Sequence, residues 1–303
     1  MRYYRAISFG FSALIMLGMT LDAWAHAHGV VDDTFLTPWH ALLYAGLLGS
    51  TLWYGWLARQ HIAPIAPHRI GFALLPIVMV CGAADVVWHT LFGFEIDIAA
   101  QMSPPHIVLA GLIATLVAIP STQRTVHGTL TLWGAISGSL AATMMVTLTQ
   151  FMSPLSAVYA ETYSGGDTTR GIGVTGFIIF VAVWLIVLIW MHQQRAPRWS
   201  FLCASIALGC IQAIISDEWR FVALLAACAL IPALRHAHAT HRTTAVLWVV
   251  CFSIGYFLIL MYAGILMWGP TMWGGTIVMA IAVAYGLSAL PHIALRPSPG
   301  DLR

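Results

Sequence analysis

The sequence contains no lysine, and charged residues of every kind make up only 8% of its 303 residues. Soluble domains usually carry about 25% charged residues, whereas 60% of this chain is apolar and its mean hydropathy is +0.85. Such a composition is expected in a lipid bilayer, where a run of about 20 apolar residues forms one transmembrane helix. No basic stripe interleaved with aromatic residues is present, which argues against a nucleic-acid partner.

Cysteine pairing is also missing from the sequence. The five cysteines lie inside apolar runs and form no Cys-x-x-Cys pair: Cys81, Cys203, Cys210, Cys228 and Cys251. This pattern predicts neither a disulfide framework nor a thiolate zinc site. The chain also lacks a Cys-x-x-Cys-His site for covalent haem and a glycine-rich nucleotide fingerprint.

What the chain does contain is a series of ten apolar runs separated by polar breaks. They predict an all-α, polytopic transmembrane helical bundle of about ten spans, at residues 5–25, 37–58, 70–91, 104–121, 128–152, 172–192, 200–216, 219–234, 245–268 and 271–290. The first run also has the basic start, apolar stretch and Ala23-Trp24-Ala25 ending of a secretory signal peptide. Cleavage after Ala25 would leave nine spans. Retention and cleavage both stay open, and we favour retention because cleavage would discard Asp22.

The charges divide between the two sides of this predicted bundle. Eleven of the thirteen arginines fall on one side, and only Arg170 and Arg220 fall on the other. The positive-inside rule makes the arginine-rich side, with the C-terminus, cytoplasmic. Ten of the eleven acidic residues fall on the opposite, outer side. We therefore expect an integral protein of the bacterial inner membrane, with a candidate cation site facing outside.

The first four spans carry a repeated polar pattern. An Asp-x-x-x-His unit at the end of one span is followed by a Ser/Thr-Pro-x-His unit at the start of the next, first with Asp22, His26 and His40, and then with Asp85, His89 and His106. We interpret this as a duplicated helical hairpin, and we divide the chain into the hairpin pair at residues 1–122 and six further spans at residues 123–303.

The spacing within each copy favours metal binding. Residues four apart share a helix face, so the aspartate and the first histidine can converge on one ion. The Ser/Thr-Pro-x-His pattern predicts a capped helix start. The positive end of that helix disfavours an imidazolium and keeps the histidine in the neutral form that binds metal. Taken singly, each residue is also typical of an ordinary polar anchor at the membrane surface.

Other outer residues are weaker candidates for this site. His28 follows His26 by two residues, and we group it with His26 and His40 as one half of the ligand set. Glu95 is either a ligand, an acceptor for a histidine N–H or a solvated acid. Asp217 and Glu218 join the site only if the bundle brings them close.

The set Asp22, His26 and His40 resembles the Asp-x3-His-x12-His metal motif in the C subunit of copper membrane monooxygenases, the methane- and ammonia-oxidising family. The second gap has thirteen residues here, and sixteen in the copy formed by Asp85, His89 and His106. The resemblance covers about thirty residues per copy and implies copper as the metal and oxygen chemistry as its use. The duplication and the ten predicted spans depart from that subunit.

The sequence thus predicts a membrane metalloprotein with an outer His/Asp site, in first place a copper-dependent oxidoreductase related in chemistry to the monooxygenases. Zinc and iron are the alternative metals, since neutral imidazoles with few carboxylates suit them better than calcium or magnesium. The alternative functions are metal uptake, delivery or cofactor insertion without catalysis, and a membrane sensor. The expected partners are the lipid bilayer and a metal donor or further membrane subunits.

Overall fold

The computed structural model describes residues 3–30, 36–62, 64–92, 102–161, 166–235 and 240–289. These parts form ten α-helices and no β-strand: α1 (Tyr3–Ala27), α2 (Pro38–Arg59), α3 (Ile65–Phe92), α4 (Pro104–Ala118), α5 (Leu132–Leu148), α6 (Asp167–Gln193), α7 (Ser200–Ser216), α8 (Arg220–Arg235), α9 (His241–Tyr262) and α10 (Pro270–Ala289). Short 3-10 turns cover Ile119–Thr122, Gln150–Met152 and Tyr159–Glu161. The predicted all-α class is therefore confirmed for the described residues.

The expected number of membrane spans is only partly supported. Six helices are long and apolar enough to cross a bilayer: α1, α3, α4 with the 3-10 turn after it, α6, α9 and α10. By contrast, α5 and α7 have 17 residues and α8 has 16. At 1.5 Å per residue these helices are about 24–26 Å long, which is less than the ~30 Å of a hydrocarbon core. The structure supports an integral helical bundle but not ten full spans.

Helices that follow one another along the chain pack as neighbours. Each of the first four contacts the next, and α1 also packs against α4, α5 and α7. The second half is built in the same way, with α6 packed against α9 and α10. Most of the free energy of such packing comes from close contact of side chains and, where backbones approach, from small residues.

The buried apolar side chains form two groups. The first lies among α1 to α5 and includes Ile15, Tyr54 and Met144. The second lies among α5 to α10 and is rich in aromatic rings, such as Trp184 and Trp248. Because α5 contributes side chains to both groups, the division of the chain at residue 122 stays a prediction.

Polar contacts identify the two ends of the bundle. At one end, Arg5 Nη2 donates to the carbonyl of Arg124 at 2.7 Å, and Arg124 Nη2 donates to Gln194 Oε1 at 3.0 Å. These bonds tie the start of α1 to the end of α6, and we call this the arginine end. The other end holds the end of α1 and the α7–α8 turn, where His28 meets Asp217, and we call it the histidine end.

Candidate metal centre

Helices α1 and α2 approach each other closely through two glycines. A Cβ atom placed on Gly18 would lie 2.6 Å from the backbone nitrogen of Leu43, and one on Gly46 would lie 3.0 Å from the backbone nitrogen of Ile15. Each backbone therefore occupies the space that a side chain would need on the other helix. This approach sets the distance between Asp22, one turn after Gly18, and the start of α2.

The start of α2 has the predicted cap. The Thr37 hydroxyl accepts a hydrogen bond from the backbone N–H of His40 at 3.4 Å, and Pro38 is the first helical residue. The same hydroxyl lies 2.8 Å from His40 Nδ1. The cap thus satisfies a free backbone donor of the helix and also holds the imidazole, which directs the other ring nitrogen towards α1.

Asp22, His26 and His40 meet at the histidine end, and we call them the first triad. Asp22 Oδ1 lies 3.7 Å from His26 Nε2 on the same helix and 3.4 Å from His40 Nε2 on α2. The side chains are 25%, 40% and 17% exposed, respectively. One carboxylate therefore stands between two imidazoles within a single helical hairpin, in a position open to solvent.

Asp85, His89 and His106 form the second triad in the same way. Asp85 Oδ1 lies 3.7 Å from His89 Nε2, and Asp85 Oδ2 lies 3.8 Å from His106 Nδ1. Ser103 caps α4 by accepting from the backbone N–H of His106 at 3.2 Å, and its own hydroxyl donates to Asp85 Oδ1 at 2.9 Å. The Asp85 and His89 side chains are only about a tenth exposed, so this triad is the more buried of the two.

The separations in both triads are those of ion pairs, and they are also close to the spacing of two ligands on one ion. Two atoms that each bind one zinc-like ion at about 2.0–2.2 Å in tetrahedral geometry lie about 3.4 Å apart. The carboxylate–imidazole distances of 3.4 to 3.8 Å are compatible with that spacing.

The triads are not preformed metal sites. Within the described ranges, no group of three or more histidine, cysteine, aspartate or glutamate side chains is arranged to hold an ion as it stands. Each aspartate is near two histidines, but three ligand atoms do not converge on one point. Metal binding at either triad thus requires its side chains to turn inwards together.

His28 makes contacts of its own. Its Nδ1 lies 2.8 Å from the carbonyl of Trp24, and its Nε2 lies 2.8 Å from Asp217 Oδ2. A carbonyl and a carboxylate only accept hydrogen bonds, so this pair of contacts favours a ring with a proton on each nitrogen. To join the ligand set with His26 and His40, as the sequence predicts, His28 would have to give up one of these bonds.

The hydrogen bonds with Asp217 and with the Trp24 carbonyl raise the pKa of His28 above its ordinary value. A raised histidine pKa in the folded state stabilises the fold below the pKa of the unfolded chain. That contribution is lost as the pH rises through the raised value. The contact between His28 and Asp217, which joins the end of α1 to the α7–α8 turn, therefore weakens towards alkaline pH.

We expect Asp217→Asn to return the pKa of His28 towards 6.5, the ordinary value, because the mutation removes the negative charge that favours the imidazolium and leaves only a neutral amide oxygen as acceptor. The measurement is an NMR titration of the His28 ring in metal-free protein, with the signal assigned from His28→Gln. Asp167→Asn is the control, since Asp167 instead pairs with Arg170 at 3.8 Å. An unchanged His28 pKa in Asp217→Asn would contradict the assigned contact.

The two arginines on the acidic side are accounted for by ion pairs. Arg220 Nη1 lies 2.6 Å from Glu161 Oε1, and the same guanidinium binds both carboxylate oxygens of Glu218 at 2.7 Å. Burial raises the pKa of Glu161, and the charge of Arg220 offsets part of that rise. Glu218 is thus engaged by Arg220, and part of the acidic surplus is balanced without a metal.

Among the predicted site residues, the structure brings together the three members of each triad. It pairs His28 with Asp217 instead of with His26 and His40. Glu95 lies outside the described residues, as do three other acids predicted on the same side, Asp32, Asp33 and Asp97. The contact between His28 and Asp217 joins residues 189 positions apart. No local sequence pattern carries that information, because it depends on the packing of α1 against α7.

No protein-family model, characterised protein or solved structure matches this chain. The chemistry of the site therefore has to be judged from its own side chains.

Proposed function

We propose that this chain is a membrane metalloprotein in which each triad binds one transition-metal ion at the outer face. The observation that supports this most is the same arrangement in two hairpins, where one aspartate lies 3.4 to 3.8 Å from two histidine nitrogens. Two histidines and one carboxylate leave open positions on the ion for an exogenous ligand.

Copper is the proposed metal, with zinc and iron as alternatives. Two imidazoles and one carboxylate suit all three ions, and calcium and magnesium prefer oxygen ligands. The resemblance of Asp22, His26 and His40 to the copper membrane monooxygenase motif favours copper. A bound copper ion would supply oxygen or electron-transfer chemistry.

The protein's own residues would prepare the ligands. Thr37 holds the His40 ring through Nδ1, and Ser103 fixes the Asp85 carboxylate through Oδ1. Partners of this kind orient metal ligands and raise their affinity.

The leading function is a copper-dependent oxidoreductase at the outer surface of a bacterial inner membrane, with the C-terminus in the cytoplasm. The orientation rests on eleven arginines at one side against two at the other. All ten helices would reach both surfaces, the shorter ones through local thinning of the bilayer. The chain would work with a metal donor or with further membrane subunits.

Metal uptake, delivery or cofactor insertion is the second candidate function. It is favoured by the exposure of the first triad, where the His26 side chain is 40% exposed and is accessible to an acceptor protein. Metal exchange is fast at such open positions, while a catalytic site usually excludes water around its reacting atoms. A membrane sensor that uses the same histidines stays as a third alternative.

Elemental analysis tests the metal proposal directly. Metal-free protein is loaded in turn with Cu(II), Zn(II) or Fe(II), passed through a desalting column and analysed for metal and protein. We expect about two ions per chain, with copper retained best. If none of the three metals is retained, the proposal is wrong.

Turnover separates the two leading functions. Copper-loaded protein is mixed with a quinol as reductant, and oxygen uptake is measured beside copper transfer to a chelating acceptor peptide. Catalytic oxygen uptake supports the oxidoreductase. Rapid transfer to the peptide without oxygen uptake supports metal delivery.

A further inference from the structure

A pocket lies at the arginine end of the bundle, where the ends of four helices meet. Its walls come from the end of α6, the start of α7, the end of α8 and the start of α9, and they include His192, Arg198, Ser200, Pro232 and Thr244. Pro197 and Arg198 also line the pocket and are exposed, so it opens to the surface. Its empty space is about 420 Å³ with the open mouth included. We call it the basic pocket.

Arg198 gives this pocket a positive charge that no described carboxylate balances. The acidic residues that the structure describes all lie at the opposite end of the bundle: Asp22, Asp85, Glu161, Asp167, Asp217 and Glu218. Asp167, for example, begins α6, whereas the pocket lies about 38 Å away at the end of that helix. The Arg198 guanidinium stacks over the Trp199 ring at 4.4 Å. Stacking leaves the N–H groups on its edge able to bind an anion.

Helix α7 begins at the basic pocket without a side-chain cap. The backbone N–H groups of Ser200 and Cys203 donate to carbonyls of the preceding turn, which leaves those of Phe201 and Leu202 as the unsatisfied donors of the helix start. By contrast, α9 also begins beside this pocket and is capped by the Thr240 hydroxyl. The start of a helix carries a partial positive charge, so the 17-residue α7 adds to the attraction for an anion.

Ser200 supplies a buried donor at the same place. The side chain is 1% exposed, and its hydroxyl makes no hydrogen bond with the described protein. The other hydroxyl in the wall, that of Thr244, already donates to the carbonyl of Thr240 at 3.2 Å. A buried hydroxyl without an acceptor costs free energy. An acceptor oxygen inside the pocket would offset that cost.

We propose that the basic pocket binds a phosphate group, with Arg198 as its charged partner and with the Ser200 hydroxyl and the first N–H groups of α7 as further donors. A phosphate group combines negative charge with several acceptor oxygens, which matches these donors. It can belong to an anionic phospholipid head group or to free inorganic phosphate. Basic pockets between helices of membrane proteins bind such head groups. The site lies at the opposite end of the bundle from the triads and does not depend on metal.

Binding to the full chain in a neutral detergent tests the proposal and separates the two sources. One arm measures radiolabelled inorganic phosphate by equilibrium dialysis. The other arm adds dioleoyl phosphatidylglycerol, with zwitterionic dioleoyl phosphatidylcholine as reference, and counts bound lipid by native mass spectrometry. We expect saturable binding of about one ligand per chain. Retention of inorganic phosphate identifies the free ion, and preferential retention of phosphatidylglycerol identifies the head group. If neither ligand is retained, the proposal is wrong.

Two mutations assign the binding to this pocket. Arg198→Gln and Ser200→Ala should each weaken binding about tenfold, the effect of losing one hydrogen bond to a charged group. Ser137→Ala is the control for Ser200→Ala, because Ser137 is another buried serine whose hydroxyl has no partner in the described protein. Arg59→Gln, at an exposed arginine that ends α2, is the control for charge. Both controls should bind as wild type. A pocket mutant that binds as tightly as wild type would overturn the proposal.

Discussion

His89→Ala and Asp85→Asn should each reduce bound metal from about two ions per chain to about one. His89→Ala removes a ligand, and Asp85→Asn keeps the size of the side chain while it removes the negative charge. The loss of one ligand from a three-ligand site should weaken binding at least tenfold, by analogy with the 10- to 100-fold cost of losing even an outer partner. Elemental analysis after desalting measures the change.

The first triad should keep its ion in both mutants. Asp22 contacts histidines of its own hairpin, and so does Asp85, so the two sites should lose metal one at a time. Asp22→Asn with Asp85→Asn should then leave no bound metal. The control is His127→Ala, an exposed histidine at the arginine end, which should bind as wild type.

The metal contents of wild type and mutants can be compared only if the mutants are folded. The helical circular dichroism of His89→Ala should stay close to wild type, since the mutation removes one buried side chain near the end of α3 and leaves the contacts along the rest of the helices in place. Equal metal content in wild type, His89→Ala and Asp85→Asn would leave the second triad without a metal role. The oxidoreductase proposal would then rest on the first triad alone.

Gly18→Ala should destabilise the protein by about 1–3 kcal/mol, the usual cost of forcing extra volume into a packed contact. The added Cβ would lie 2.6 Å from the Leu43 nitrogen and 2.9 Å from its Cα. Both are backbone atoms, so α2 as a whole has to move. His40 would move with it, and copper affinity at the first triad should fall while the second triad is unaffected.

Gly10→Ala is the matched control on the same helix. A Cβ on Gly10 meets nothing within 4 Å, and alanine is the better helix former by about 1 kcal/mol. Thermal unfolding should therefore change in opposite directions in the two mutants. If Gly18→Ala is as stable as wild type and binds two ions, close packing of α1 on α2 does not position the first triad.

The local features of the sites could be predicted from the sequence. Thr37 and Ser103 are N-caps as expected, because a hydroxyl side chain just before the helix can accept a hydrogen bond from a free backbone N–H of the first turn. The four-residue spacing of Asp85 and His89 also gave their common helix face correctly. These predictions succeed because they depend on only one helical turn or one hairpin.

The remaining features depend on distant packing or on length. The short α8 was predicted correctly, at residues 219–234 against the observed Arg220–Arg235, but apolar composition alone did not reveal that α9 ends at Tyr262 rather than at residue 268. Gly264 has a φ of 70° and ends that helix by turning the chain. The pairing of His28 with Asp217 likewise depends on how α1 packs against the α7–α8 turn. The hydrophobic periodicity of the sequence contains no information about that packing.

The enclosure of each triad within one hairpin has an evolutionary consequence. A ligand lost from one hairpin leaves the other complete, so selection can hold one copy while the other drifts in sequence. The unequal spacing of thirteen and sixteen residues between the last two histidines is a difference of the sort that such relaxed selection permits. Homologues that have lost Asp22 but kept Asp85, or the reverse, should therefore occur more often than homologues that retain only half of each set.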